Sequence, residues 1–473
     1  MVEYLNKLTP EELGKFGKFL MSTYFNSNTN LVKLYDYLHP SYPKIENINF
    51  DKLKLSINIF SEKRINEVKI RKLISDFTIA LEKFLTQIEV EKNYLGNKIS
   101  LINSLRKRGL SKRCDMGIRE VDKIQKVKFS KDSEYYYNQI NLESAYFYYN
   151  FSNFKLEYAE CLQKRSDNLD YYFIFNKLHT FNEMSFNEIS KNKSFNKSYL
   201  NEIINFLEVN REIIHKKHPN IFIIYLVMMM RNTSDDKYLT ELLDYLNANE
   251  KKFTKENLSY YYHYVRTYYI VKINSGQSKY LQPAFDIIKL MEAKRLFLID
   301  NIITDMEFNS VVNMVLPLKE YEWLNDFIDE YSKYLDPSFS KDAYNLAKAK
   351  MLYEKKEFEK IYSHLNEVEF RDPNYYYNSK FIMGRVNFEM KNLNGVKYII
   401  SNLRQYLRTK EILTPDQIAA IKTFNKYMTN LIELFESESS KKKSLRTILK
   451  KELDNEKKIV PNKNWFYEKL EEK

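Results

Sequence analysis

Glycine and proline are nearly missing from this chain. Of 473 residues, 8 are Gly and 10 are Pro, about 2% each against usual shares of about 7 and 5%. Tight turns depend on those residues, so scarcity of both predicts long regular elements. A β-sandwich or barrel, with a turn about every ten residues, is excluded. A doubly wound α/β fold, which spends glycines on phosphate loops, is disfavoured. Apolar residues at 44% and aromatics at 15% supply core material and exclude wholesale disorder. The length fits about three domains, unless the chain is a solenoid, which grows without splitting.

Helix signals recur along the chain. Thr9-Pro10-Glu11-Glu12 reads as a capping box, with the Thr9 hydroxyl accepting from the amide three residues on while Glu12 reaches back. Pro10 takes the first helical position, where a missing N–H costs nothing. Thr414-Pro415-Asp416-Gln417 repeats the device. Between such starts apolar residues recur at three and four: Leu73, Phe77, Leu81 and Phe84 share one face, with Lys72, Asp76 and Lys83 largely opposite. The best strand candidate, 87–91, lies inside a longer helical pattern.

Internal repetition follows. Lys319-Glu320-Tyr321-Glu322 aligns with Lys356-Glu357-Phe358-Glu359 at an offset of 37, and each copy runs on to Asp-Pro, at Asp336-Pro337 and Asp372-Pro373. A fainter copy at offset 35 pairs Tyr353-Glu354 with Phe388-Glu389 and Ile361 with Val396. This is the period of helical-hairpin repeats, and the stretch resembles the tetratricopeptide family. Ala349 and Gly384 match its small first-helix residue, Leu365 and Ile400 the large apolar residue of the second helix, and Pro373 the terminal proline. The family's first-helix Trp is missing, and Ile361, Val396, Val368 and Leu403 stand where alanines are usual. The resemblance therefore implies degenerate, widely packed repeats, and it carries over no peptide-carboxylate clamp.

Upstream, 258–273 with 281–298 reads as a further helix pair, and 201–215, 221–230 and 238–246 as further helices. Short polar linkers are expected at 26–30, 185–196, 231–236 and 437–443, the last as a flexible exposed turn. A wider set of landmarks resembles a family of helical-repeat proteins from Bacteroidota. It comprises Leu8-Thr9-Pro10-Glu11-Glu12-Leu13 with Tyr24-Phe25-Asn26, Leu105-Arg106-Lys107-Arg108-Gly109-Leu110, Leu169-Asp170-Tyr171-Tyr172, and Asn464-Trp465-Phe466-Tyr467. That resemblance implies an all-helical cytoplasmic protein and no known activity. The fold class expected is all-α: a basic helical region over 1–130, an irregular tetratricopeptide-like α-solenoid of antiparallel helix pairs over 131–436, and capping helices over 437–473.

Charge is unevenly spread. Residues 1–128 hold 24 basic and 15 acidic side chains, +9, so the other 345 residues share the remaining +3 of the net +12. An uneven field attracts polyanions, although Lys, Asn, Ile, Phe and Tyr share AT-rich codons and base composition alone can raise Lys. Residues 51–60, a polar turn at 61–66 and residues 67–85 read as helix, turn, helix, with Lys69, Arg71 and Lys72 projecting from the first turns of the second helix. This looks like the winged-helix modules of some bacterial regulators, without a clear β-hairpin wing after Leu85. A second basic cluster holds Arg106, Lys107, Arg108, Lys112 and Arg113, continuing through Arg119, Lys123, Lys126 and Lys128. On one face it could hold a phosphate backbone; as a solvated helix surface it would hold nothing.

Three tyrosine triplets, Tyr135 to Tyr137, Tyr260 to Tyr262 and Tyr375 to Tyr377, read either as packing between repeats or as a partner-binding aromatic groove. For the latter, Tyr260, Tyr261, Tyr262, Tyr375, Tyr376 and Tyr377 are the candidates. His215 and His218 have a spacing that can chelate a metal, but Glu212 is the only carboxylate placed to help, and no metal or cofactor is expected. No Walker loop, GxSxG or HExxH occurs. Cys114 and Cys161 form no CxxC pair, which suits a reducing compartment. The charged amino terminus lacks a signal peptide's apolar core. The longest apolar run, 221–230, is too short for a membrane span and predicts a buried helix. The leading expectation is a non-catalytic scaffold or adaptor holding a protein partner, away from membranes. The alternatives are a nucleic-acid-binding regulator, on DNA or RNA, and an enzyme with an unfamiliar site.

Overall fold

A computed structural model describes residues 1–42, 52–62, 64–127, 131–152, 158–191, 194–366, 372–409 and 413–472. It is all-α. Among the described residues the only extended pairing is an isolated bridge between Ile299 and Ile302. There Asp300 and Asn301 both take positive φ, 51° and 59°, the backbone that a two-residue hairpin turn requires. The chain divides into two compact units, Met1–Ile224 and Tyr225–Lys473. Residues on both sides of position 130 therefore belong to the first unit.

The first unit begins with α1 (Val2–Lys7), α2 (Pro10–Met21), α3 (Thr29–Leu38), α4 (Lys52–Phe60) and α5 (Glu67–Lys92). Thr9 closes the expected capping box: its hydroxyl accepts from the Glu12 amide, and the Glu12 carboxylate accepts from the Thr9 amide at 2.8 Å. The apolar face of α2 then meets those of α3 and α5. Phe16, fully buried, sits edge-on to Phe77 and Tyr35 and against Phe84. A second core lies between α6 (Tyr94–Lys107), α7 (Ser111–Lys126) and α8 (Ser133–Ser152), around Ile102, Cys114, Ile118 and Leu142. α8 pairs with the long α9 (Tyr158–Lys191), α10 (Leu200–Val209) and α11 (Arg211–Lys217) follow, and α12 (Pro219–Thr233) runs on past Ile224, the last residue of this unit. The helix expected over 201–215 is thus broken at Asn210. The apolar run 221–230 is the buried α12, and no helix among the described residues is long and apolar enough to cross a membrane. The polar linker read over 185–196 is a correction, because α9 continues through Ser185 to Lys191.

The second unit contains α13 (Asp236–Asn249), α14 (Lys255–Asn274), α15 (Leu281–Ala293), α16 (Asp305–Val315), α17 (Tyr321–Tyr331), α18 (Ser340–Glu354), α19 (Phe358–Leu365), α20 (Pro373–Glu389), α21 (Leu393–Thr409), α22 (Pro415–Glu436), α23 (Ser439–Asn455) and α24 (Lys463–Glu471). Here packing is serial. α16 touches α18, α18 touches α20 and α20 touches α22, while α17, α19 and α21 each join the helices before and after them. The repeat read from sequence has a backbone counterpart at the turns. Lys319, Lys356 and Lys391, spaced 37 and 35 apart, all adopt left-handed φ, 62°, 59° and 58°. After α18 and α20 the chain closes with the same bonds: Lys356 N to Tyr353 O and Glu357 N to Leu352 O, then Lys391 N to Phe388 O and Asn392 N to Asn387 O. This is the Schellman ending, made with lysine in a chain that has little glycine to place there. Gly384, the expected small residue, is buried so that an added Cβ would lie 3.1 Å from the Phe424 ring, which fixes the close approach of α20 to α22.

The linker over 437–443 is another correction. Only Ser437 and Glu438 interrupt the helices, and α23 begins at Ser439. Leu445, Leu449 and Leu453 extend a helical stripe through what composition alone presents as a Ser/Lys-rich loop, with Leu449 and Leu453 buried. Val368 of the repeat reading, Lys128 of the basic cluster and Asp51 of the helix-turn-helix reading lie outside the described residues.

Candidate functional site

The serial packing places α14, α16, α18 and α20 side by side along one line, and a groove of 690 Å³ crosses them. Its sides are set by helical spacing. Asn309 and Asn313 stand one turn apart on α16, Asn374 and Asn378 one turn apart on α20, and Asn274 ends α14. Leu346 and Lys350, one turn apart on α18, lie between these walls, and Ile270 and Ile273 add apolar surface from α14. The site is a row of amides over an apolar base.

Its polar groups are already oriented. The Asn378 side chain, which lines the groove, donates to the Asn374 carbonyl at 2.8 Å. Asn309 donates to the Asp305 carbonyl at 3.0 Å, to the Asp305 carboxylate at 2.7 Å and to the Tyr375 hydroxyl at 3.0 Å. The Tyr375 hydroxyl donates to the same Asp305 carboxylate. Burial, and then the nearby Asp372 charge, push the Asp305 pKa up. Lys350 donates to the Asn313 amide oxygen at 2.9 Å; burial, followed by repulsion from Arg385, lowers its pKa to about 8. Arg385 lies over the Tyr353 ring, 4.1 Å from its centre.

A buried ion pair fixes α14 to α16. Arg266, 1% exposed, donates through both terminal nitrogens to the Glu307 carboxylate, the second at 2.5 Å, and His263 stands 3.6 Å from the same carboxylate. Burial alone would raise the Glu307 pKa. The His263 hydrogen bond and the Arg266 charge outweigh it and hold the group at about 2. At the other end, Glu389 of α20 accepts from the Trp465 indole at 2.7 Å and from Lys469 at 2.8 Å, tying α24 to the stack.

The tyrosine candidates separate. Tyr261 and Tyr262 are buried, and so is Tyr375. Tyr261 meets Phe253 edge-on, and the Tyr262 hydroxyl, its pKa pushed up to about 12 by burial, has no hydrogen-bond partner among the described residues. Tyr260 stays at the surface and accepts from the Tyr264 hydroxyl. Tyr376 stacks on Tyr406 with ring centres 4.1 Å apart, and the Tyr377 hydroxyl donates to Asn374 at 2.7 Å. Of the six, Tyr375 lines the groove, through its hydroxyl. In the first unit, His218 is buried, its Nδ1 2.7 Å from the Tyr136 hydroxyl, while His215 packs edge-on to Phe222. The pair is not brought together with acids, and no group of three or more candidate metal ligands occurs among the described residues.

The basic candidates separate too. Lys69 pairs with Glu62, and Arg71 pairs at 3.0 Å with Glu67, which also holds Lys52 at 2.8 Å. α5 continues without a break to Lys92, so the segment where a wing would start is helix. Lys72 is exposed on the same helix. In the second cluster, Arg119 pairs with Asp115 and Lys126 with Asp122, both at 2.6 Å. Arg106, Lys107, Arg108, Lys112 and Arg113 make no ion pair among the described residues.

The groove asparagines and Lys350 escaped the reading of the sequence. A signal was present: Asn313, Lys350 and Arg385 stand 37 and 35 apart, at the repeat spacing. They share a position and differ in identity, so alignment by identity passes over them. No family model, curated protein or solved structure matches the chain.

Proposed function

We propose that the protein is a non-catalytic scaffold or adaptor. In this reading its helical repeats form a solenoid whose first helices hold an extended segment of a partner protein, and the chain works in the cytoplasm. The observation that carries the reading is the row of asparagines from α14, α16 and α20 flanking Leu346 and Lys350 of α18. A carboxamide offers one acceptor and two donors, which match the alternating N–H and C=O of an extended backbone whatever its sequence. Rows of amides over an apolar base therefore suit a peptide chain better than a compact metabolite. A groove prebonded by Asn378, Asn309 and Lys350 loses little side-chain entropy on binding. Two free, buried cysteines are in keeping with a reducing compartment.

A random-peptide display selection on the full chain tests this. Peptides selected on the wild type are expected to bind Asn313→Leu/Asn378→Leu at least about tenfold more weakly, the cost of two lost hydrogen bonds of about 1 kcal/mol each. Equal binding by both forms, with both equally folded by circular dichroism, would contradict the groove as the site.

A further inference from the structure

Residues 104–114 connect α6 to α7 and contain five cations and no acid. Their geometry is fixed by the turn. Gly109 takes φ 70°, its N–H donates to the Arg106 carbonyl, and the Leu110 N–H donates to the Leu105 carbonyl. That ending reverses the chain within three residues. It sets the last turn of α6, with Arg106 and Lys107, beside the first turn of α7, with Lys112 and Arg113, and Arg108 lies between them.

Two comparisons within the molecule show that this is more than a solvated helix surface. Several exposed helix cations elsewhere are matched by acids one turn away, as in Glu11 with Lys15, Glu67 with Arg71, Asp115 with Arg119 and Asp122 with Lys126. At the tip none of the five has an acidic partner among the described residues. Arg106 instead lies over the Tyr148 ring at 5.2 Å, and Arg108 donates to the Ser104 carbonyl at 3.1 Å. Furthermore, α7 carries no acid in its first turn, although that is where acids stabilise a helix and cations oppose it. Arg106 and Lys107 suit the last turn of α6, but Lys112 and Arg113 work against the start of α7, and together the five concentrate positive field at one exposed point.

We propose that this α6–α7 tip docks on the phosphate backbone of nucleic acid. Lys107, Arg108, Lys112 and Arg113 are exposed and make the contacts, and Arg106 is held behind them on Tyr148. Guanidinium forks and lysines on a rigid turn match spaced phosphates. Two helices side by side are about 20 Å across, too wide for a major groove about 12 Å wide. Contact is therefore with the backbone and indifferent to sequence. An anionic lipid surface fits less well. Leu105 is turned into the α6–α7–α8 core, so Leu110 is the one exposed apolar side chain within 104–114, too little to insert.

The test uses the full chain with fluorescently labelled 20-base-pair DNA and 20-nucleotide RNA, read by anisotropy. Binding at 50 mM KCl is expected to weaken about 100-fold by 200 mM, the salt dependence of about four phosphate contacts. Lys107→Glu/Arg108→Glu/Lys112→Glu/Arg113→Glu should abolish it, and the four Gln substitutions at the same positions should weaken it at least about tenfold. Lys69→Glu/Arg71→Glu should change it less than about threefold, since both cations are already neutralised. Matching circular dichroism melts of all forms keep misfolding out of the comparison. Binding that survives the tip substitutions would overturn the proposal. So would wild type that binds phosphatidylserine vesicles but neither nucleic acid.

Discussion

The groove of the second unit and the tip of the first both turn polar side chains to solvent, with opposite bonding. In the groove, Asn309, Asn378 and Lys350 are tied to carbonyls, a carboxylate and a neighbouring amide before any ligand arrives. At the tip, Lys107, Lys112 and Arg113 are exposed and have no acid to pair with among the described residues. Prebonded amides discriminate by geometry and respond little to salt. Unpaired cations attract by field and respond strongly. The same contrast exists within the first unit, where α4–α5 and α6–α7 are both basic helical hairpins. Glu62 and Glu67 pair with Lys69 and Arg71 of the first, whereas among the described residues no acid pairs with the five cations at the tip of the second.

The largest expected effect comes from severing the groove from its support. Glu307→Ala strands the buried Arg266 charge and should cost about 3–5 kcal/mol, seen as an early urea transition of the second unit, with nucleic-acid retention by the tip unchanged. The same carboxylate predicts an acid limit. Its folded pKa of about 2 lies below the ordinary carboxylate value. Its contribution is therefore complete above about pH 4.5 and is lost as pH falls toward 2, about 3 kcal/mol in all. Melts of wild type and Glu307→Gln between pH 7 and 3 should converge; a constant gap would deny the ion pair this role.

Next in size is the salt contrast. Between 50 and 200 mM KCl the tip should lose about 100-fold in affinity for nucleic acid while groove peptides change less than about threefold. Parallel titrations that fall together would erase the distinction. About tenfold is expected in reactivity: with its pKa lowered to about 8, Lys350 should be acylated at pH 8 ahead of the tip lysines. Bound peptide should protect it, as mass mapping would show. The smallest effect concerns the shared turn. Lys356→Gly should gain up to about 1 kcal/mol by relieving left-handed φ, and Gly109→Ala should lose about as much.

Much of the fold was legible. The Thr9 and Thr414 capping boxes form as written, because their bonds are local and need only sequence spacing. The repeat offset was visible because each copy turns at a lysine in left-handed backbone, Lys319, Lys356 and Lys391. The site was less so. Three consecutive tyrosines on a helix point about 100° apart, so a triplet cannot line one face, and Tyr260 emerges while Tyr261 and Tyr262 go inside. The Glu67–Arg71 pair was readable at its i, i+4 spacing. Glu62–Lys69 spans a turn and required the fold. The groove required it most, since its asparagines come from three helices whose adjacency no local pattern encodes.

The claim on which the rest stands is that partner proteins lie in the asparagine groove. Photo-crosslinking from within the native cell tests it most directly, with the crosslinking residue at Ser310 in the groove or at Tyr398, exposed on α21. The account predicts a discrete crosslinked protein from Ser310, lost on Asn313→Leu/Asn378→Leu, and none from Tyr398. Crosslinks of equal yield from both positions, or from Tyr398 alone, would contradict it.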